Sequence, residues 1–114
     1  MYLSQGRFAE AEPLLKQALA IQKKALHEGH PDIAHSLNNL AALNSNQGRF
    51  AEAEPLYRQA VSIMLSTFGM EHPYCQEVLT NHLICLVEIG KEEEASRIAP
   101  DFPAWYRENI KNEG

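Results

Sequence analysis

The sequence predicts an all-α protein built as a solenoid of helix-turn-helix repeats. The first observation is a repeat: the segment QGRFAEAEPL at residues 5–14 returns letter for letter at residues 47–56, an offset of 42 residues. The second observation is the spacing of apolar residues within one period, which follows the i, i+4, i+7, i+8 pattern of helices with one buried face. Repeats of this length are small units that bury their apolar faces against neighbouring copies.

The first copy supplies only one helix. Its apolar spacing predicts a helix over residues 8–26, but only residues 2–5 precede the turn at Gly6, so the first helix of this copy is missing. A helix without its partner should leave apolar side chains uncovered. The expected stripe consists of Leu14, Leu15, Ala18, Leu19, Ile21 and Leu26.

The second copy is complete. Ile33, Leu37 and Leu40 mark the buried face of a helix over Pro31–Asn46, and a second apolar stripe begins at Phe50. Between them, Gly48 is suited to the left-handed conformation that closes a helix. The sequence therefore predicts two helices joined by a tight turn.

The links between repeats also recur. His30-Pro31 returns as His72-Pro73, and each proline can occupy the first turn of the next helix, where no amide hydrogen is needed. Pro13 and Pro55 fall inside predicted helices near their starts, where a lost hydrogen bond costs least.

The third copy is degenerate. Gly90 lies 42 residues beyond Gly48, but Glu92 replaces the aromatic residue of the earlier copies, and Pro100 stops the second helix after about two turns. Beyond it, three aromatic residues lie within residues 102–106, which predicts a terminal helix from about Pro103 that caps the array. We therefore divide the chain into a repeat array, residues 1–99, and a cap or tail, residues 100–114.

The repeated segments carry a family resemblance. His30–Ala41 reads HPDIAHSLNNLA and Gln47–Leu56 reads QGRFAEAEPL. With the 42-residue period, these motifs resemble the tetratricopeptide repeat in the form found in kinesin light chains. The resemblance covers roughly residues 2–98. It implies a right-handed α-solenoid of about two and a half repeats, with a concave groove that binds peptides.

Composition and charge narrow the possible partners. The chain has 114 residues and a formal net charge of −5, and no run of basic residues longer than Lys23-Lys24, so we expect no nucleic-acid binding. The longest apolar runs are far shorter than the roughly 20 residues of a membrane-spanning helix, and no secretory signal is visible. We expect a cytoplasmic protein that does not bind membranes. Cys75 and Cys85 lie ten residues apart on one predicted helix, too distant for a disulfide.

Catalytic and metal-binding patterns are weak. The sequence contains no Gly-rich phosphate loop, no Gly-x-Ser-x-Gly elbow and no His-Glu-x-x-His helix. Acidic pairs such as Glu52 with Glu54 are expected to be solvated side chains that stabilise a helix start. A metal site of His27, Glu28, His30 and His35 is an alternative that we consider, but His30 recurs as His72, which favours a role in the turn. We expect no enzyme activity, cofactor or bound metal.

The resemblance implies that the first helix of each repeat lines the groove. In the second copy, the residues on one face of that helix are His35, Asn38, Asn39, Ala42 and Asn46. One period later the same face carries Glu77, Asn81, Ile84 and Glu88. Asn39 and Asn81 match positions that commonly contact a ligand backbone, and an amide offers both donors and an acceptor for that task.

The residue types on this face also predict the ligand's charge. Family members that bind a C-terminal carboxylate use Lys and Arg on this face, whereas this chain has His, Asn and Glu. Neutral or basic peptides are therefore expected rather than acidic ones. His82, which replaces Leu40 of the previous copy, is expected to be a hydrogen-bonded core histidine or, alternatively, a pH sensor.

Three functions are compatible with these patterns. The preferred one is a non-catalytic scaffold that binds a peptide or a partner domain in the groove. The second is a self-associating structural piece of a longer array, in which another copy covers the helix over residues 8–26 and a homo-oligomer forms. The third is an enzyme or metal protein that uses His27, His30 and His35.

Overall fold

The computed structural model describes residues 8–109, and these residues form six helices. They are α1 (Phe8–Ala25), α2 (Pro31–Asn46), α3 (Phe50–Phe68), α4 (Pro73–Glu88), α5 (Glu92–Ile98) and α6 (Phe102–Asn109). This part of the chain contains no strand. The helices pack mainly against their neighbours in sequence, as in a solenoid, so the predicted all-α solenoid with a short capping helix is confirmed.

Histidine side chains begin the two groove-side helices. Nδ1 of His30 accepts a hydrogen bond from the amide of Asp32 at 3.0 Å, and Nδ1 of His72 accepts one from the amide of Tyr74 at 3.1 Å. In each case a proline follows at the first helical position. The repeated His-Pro pair is therefore a helix start, in which the ring satisfies an amide that the helix leaves unpaired.

Replacing His72 with Ala is expected to lower the free energy of unfolding by about 1 kcal/mol, because the amide of Tyr74 loses its acceptor. His72→Asn restores a capping acceptor and should keep most of the stability. Denaturant titration of the two variants checks this. Equal losses in both variants would contradict the capping role.

Glycine closes the turn inside each repeat. Gly48 and Gly90 have φ angles of 78° and 84°, in the left-handed region that Gly adopts without strain. The amides of Gly48 and Arg49 donate to the carbonyls of Ser45 and Asn44, which ends α2 and reverses the chain within three residues. The predicted break at Gly48 is confirmed.

The two internal prolines do not interrupt their helices. Pro55 lies inside α3 and Pro13 inside α1, and both side chains are exposed. Ala51, whose carbonyl would otherwise bond the missing amide of Pro55, is also exposed, so water can reach that end of the helix.

The core is a continuous apolar layer between the helices. One cluster joins α1, α2, α3 and one side of α4, with Leu37, Leu43 and Met64 among its fully buried side chains. A second cluster joins the second half of α4 to α5 and α6. Cys75 and Cys85 are buried as free thiols in the first cluster.

The shortened third repeat is completed by α6. Since α5 has only seven residues, α6 packs directly against α4 and α5. Tyr106 is buried in the second cluster, and its hydroxyl donates to Oε2 of Glu88 at 2.7 Å. Arg107 of α6 also forms an ion pair with Glu92 of α5.

Two buried phenols should make the fold sensitive to alkali. Burial raises the pKa of Tyr57 to about 12, and burial together with the hydrogen bond to Glu88 raises the pKa of Tyr106 to about 12, from 10.0. The neutral phenols stabilise the fold fully below pH 10, and this contribution is lost as the pH rises towards 12. Denaturant titrations across this range check it. Tyr106→Phe should show a smaller loss, and an unchanged pH dependence would contradict this assignment.

The expected apolar stripe on α1 is only partly uncovered. Leu14, Ala18 and Ile21 are exposed. The prediction is wrong for Leu19, which is buried in the core cluster, and Leu15 and Leu26 pack partly buried against that cluster. The reason is that α2 covers one face of α1, so only the neighbouring face remains open.

Candidate peptide-binding groove

A pocket of about 320 Å³ lies where α2, α3 and α4 meet. Its lining consists of Ala42, Ser45 and Asn46 from α2, Phe50 and Tyr57 from α3, and Asn81 and Ile84 from α4. Four of the nine predicted groove residues are thus brought together in one pocket: Ala42, Asn46, Asn81 and Ile84. The side chains of Asn46 and Asn81 make no hydrogen bond within residues 8–109, so their amides are available to a ligand.

The floor of this pocket comes from α3. Tyr57 is buried beneath it, while the hydroxyl of Ser45 lies 3.5 Å from Sγ of Cys85 across the space between α2 and α4. Burial raises the pKa of Tyr57 although a side-chain hydrogen bond with Ser45 opposes the change. Aromatic rings and two amides that line one pocket suit a peptide with an apolar side chain and backbone groups that need hydrogen bonds.

Sequence reasoning missed Phe50, Tyr57 and Ser45 as groove residues. Phe50 and Tyr57 follow the apolar spacing of α3, which indicates core and does not separate a core residue from a pocket floor. What marks Phe50 and Tyr57 as pocket residues is that they lie between two successive groove-side helices, α2 and α4. This position becomes visible only when the packing of the three helices is known.

At the other end of the predicted groove, an exposed side-chain contact joins α2 to α4. Nδ1 of His35 lies 2.9 Å from the hydroxyl of Tyr74. Burial raises the pKa of Tyr74, partly offset by a side-chain hydrogen bond with Asn38, and the charge of Glu77 raises it further. His35, Asn38 and Glu77 therefore gather around Tyr74 rather than around the pocket. Asn39 is half-buried on the same helix.

Glu88 is held by the cap. Its carboxylate accepts the hydrogen bond from the buried Tyr106, so this residue joins α4 to α6 as well as ending the predicted face. Its negative charge also contributes to the raised pKa of Cys85, which burial raises to about 11.

An ionic cluster links α3 to α4 and α5 through Glu54, Arg58, His82 and Glu94. Oε2 of Glu54 lies 2.8 Å from Nε2 of His82 and 2.9 Å from Nε of Arg58, and Arg58 reaches Oε2 of Glu94 at 2.6 Å. Glu54 and His82 are buried, at 6% and 3% exposure. The core histidine with a hydrogen bond is confirmed. The expectation that Glu54 is a solvated residue at the helix start is wrong, because α4 and α5 close over it.

The charge of Glu54 is maintained by its neighbours. Burial alone would raise the pKa of this carboxyl group, but the hydrogen bond from His82 and the charge and hydrogen bond of Arg58 lower it below 4.5. The cluster thus contains a buried carboxylate that links α3, α4 and α5.

A larger cavity of about 530 Å³ lies on the opposite side of α2, between α1 and α3. Ile33 and Leu37 at its base are almost fully buried, and its rim mixes the opposite charges of Lys23 and Glu28. It contains none of the predicted groove residues, and we do not assign peptide binding to it.

The metal alternative finds no support in the described residues. His30 caps α2 and His35 contacts Tyr74. Within residues 8–109, no group of three or more His, Cys, Asp or Glu side chains is arranged to hold a metal ion. Nor does any helix in this range have the length and apolar character to cross a membrane.

Comparison with known proteins identifies the repeat. The family model described as "Tetratricopeptide repeat" matches residues 1–66 and again residues 32–99, in two overlapping registers. A search of curated proteins finds no match. Repeats of this family generally mediate protein–protein interaction and are not catalytic. With its repeat period, helix pairs and family match in agreement, the chain belongs to the tetratricopeptide repeat family.

Proposed function

We propose that the protein is a cytoplasmic, non-catalytic scaffold of kinesin-light-chain-like repeats that binds a peptide or partner domain in the groove between α2 and α4. The observation that carries this proposal is the pocket of about 320 Å³, which the amides of Asn46 and Asn81 line together with the aromatic rings of Phe50 and Tyr57. The 42-residue period supports the kinesin-light-chain form of the repeat.

The pocket suits an extended peptide with one bulky apolar side chain. Ala42 is small and leaves room over Phe50 and Tyr57, while the neighbouring amides can donate to and accept from a peptide backbone whatever its sequence. Preformed pockets with an apolar floor and a few convergent polar groups are the usual form of a ligand site.

The charge of the groove supports neutral or basic peptides. Glu77 and Glu88 are the two acidic residues of the nine-residue set, and the set contains no Lys or Arg. An acidic peptide would meet like charge without a basic partner, which opposes binding. Nucleic acid and anionic membranes are disfavoured partners for the same reason.

Asn46→Ala combined with Asn81→Ala is expected to weaken peptide binding by about tenfold or more, because the two pocket amides that can bond a peptide backbone are lost. The probes are individual 12-residue peptides selected from a random display library on the unmodified chain, and fluorescence anisotropy measures their affinity. Gln59→Ala, at the opposite cavity, is the control and should leave affinity unchanged. Selected peptides that bind the double variant and the control equally would contradict the groove.

Self-association is a second candidate function. It is favoured by the exposed apolar residues of α1, which another chain can cover. This role is independent of the groove, because the stripe lies on α1 and the groove residues lie on α2 and α4.

A further inference from the structure

Four exposed apolar side chains lie along one face of α1: Leu14, Ala18, Ile21 and Ala25. This set, the α1 stripe, follows the spacing i, i+4, i+7, i+11 and so lies on one face of the helix. All four residues are exposed, Leu14 to 57% and Ile21 to 61%.

The internal repeat shows that this face is of a type that is normally covered. Three of the four equivalents 42 residues later in α3 are covered: Leu56 and Ile63 pack partly buried against the core, and Ala60 is 0% exposed. The fourth, Thr67, is exposed. α3 lies between α2 and α4, whereas α1 packs against α2. The α1 stripe therefore has the composition of a buried surface, and its burial would be favourable.

Charges of opposite sign flank the two ends of the stripe. Glu10 lies in the first turn of α1 and Lys24 in the last turn, and both are exposed. Neither forms an ion pair within residues 8–109, unlike Glu12, which pairs with Lys16 at 3.0 Å. A second α1 running in the opposite direction would bring Glu10 of each copy close to Lys24 of the other. It would also place Leu14 opposite Ile21 of the other copy, with the small Ala18 near the two-fold axis.

We propose that the α1 stripe binds the α1 stripe of a second copy of this chain in an antiparallel, two-fold contact. The inference rests on the second candidate function and names its partner and geometry. The surface is self-complementary in both apolar and charged residues, as a two-fold interface requires. Because one helix face is smaller than the roughly 800 Å² per partner of standard interfaces, the dimer dissociates on dilution.

Sedimentation velocity across a wide concentration range tests the contact. We expect a reversible monomer–dimer equilibrium that Ile21→Lys weakens by about tenfold or more. Leu65→Lys is the matched control, since Leu65 is an exposed leucine on α3 and its replacement should leave the dimer unchanged. Circular dichroism melts establish that both variants remain folded. Glu10→Lys should weaken the dimer, and adding Lys24→Glu should restore it.

Cysteine cross-linking tests the direction of the helices. Ala18→Cys, near the axis, is expected to form an intermolecular disulfide readily. Ala25→Cys is not, because antiparallel pairing places the two copies of this position roughly 20 Å apart along the helices. The native thiols of Cys75 and Cys85 are buried and interfere little.

The possible results distinguish the antiparallel α1 contact from self-association in general. A monomer at every concentration overturns both this inference and the second candidate function. A dimer that Ile21→Lys leaves intact, equal cross-linking at Ala25, or open assemblies that grow with concentration overturn the antiparallel contact, while self-association stands. None of these results bears on peptide binding in the groove.

Discussion

Replacing Glu54 with Ala is expected to lower the free energy of unfolding by about 1–3 kcal/mol, because the buried ring of His82 loses its hydrogen-bond partner, whereas Arg58 keeps its ion pair with Glu94 near the surface. Glu54 is 6% exposed and holds both His82 and Arg58. Such a loss is a large part of the roughly 5–15 kcal/mol by which a domain is usually stable. Denaturant titration followed by circular dichroism measures it.

The internal repeat provides the control for this prediction. Glu12 is the equivalent of Glu54 in the first copy, but it is 24% exposed and pairs with Lys16 and Arg49 near the surface. Glu12→Ala should therefore cost only about 0–1 kcal/mol. Replacing Glu54 and His82 together with Leu should recover most of the stability, because it removes both polar partners. Equal losses for Glu54→Ala and Glu12→Ala would contradict the role of the buried cluster.

The same cluster predicts a dependence on acid. The folded-state pKa of Glu54 is lowered, so its contribution to stability is present above pH 4.5 and is lost as the pH falls through the folded-state pKa. Glu54→Gln should lack this part of the acid dependence. An unchanged acid profile in Glu54→Gln would assign the loss to other carboxyl groups.

Leu37→Ala is expected to destabilise the protein by about 2–5 kcal/mol through the cavity it leaves. Leu37 is 1% exposed in the cluster that joins α1, α2 and α3, and it lies at the centre of the repeat array. The loss should lower the thermal midpoint by several degrees or more. Differential scanning calorimetry with denaturant titration checks both quantities.

Leu65→Ala is the control for the Leu37 variant. The substitution is chemically identical, but Leu65 is 39% exposed on α3, so its effect should be about 1 kcal/mol, well below that of Leu37→Ala. A similar loss in the two variants would show that the central cluster does not contribute as the packing indicates.

The sequence by itself determined the fold and the local elements. An identical ten-residue segment in phase with helical spacing predicts repeated helix pairs, because self-similarity at a fixed period is the signature of stacked structural repeats. Gly48 predicted the left-handed turn, and Pro103 lay within one residue of the start of α6. These features depend on neighbours in the chain, which a single sequence displays directly.

Only the tertiary structure decided which equivalent residues of the repeats differ in burial and in contact partners. Glu12 and Glu54 occupy the same place in their repeats, yet only Glu54 is buried, because α4 brings His82 across 28 residues of chain and α5 brings Glu94. Likewise, packing places Tyr57 in the lining of a pocket and brings Glu88 into a hydrogen bond with Tyr106 of α6. Packing also buries Leu19 and leaves Leu14 exposed on the same helix. Helical periodicity identifies the residues that share a face, but the helix that covers that face is chosen by packing over long separations.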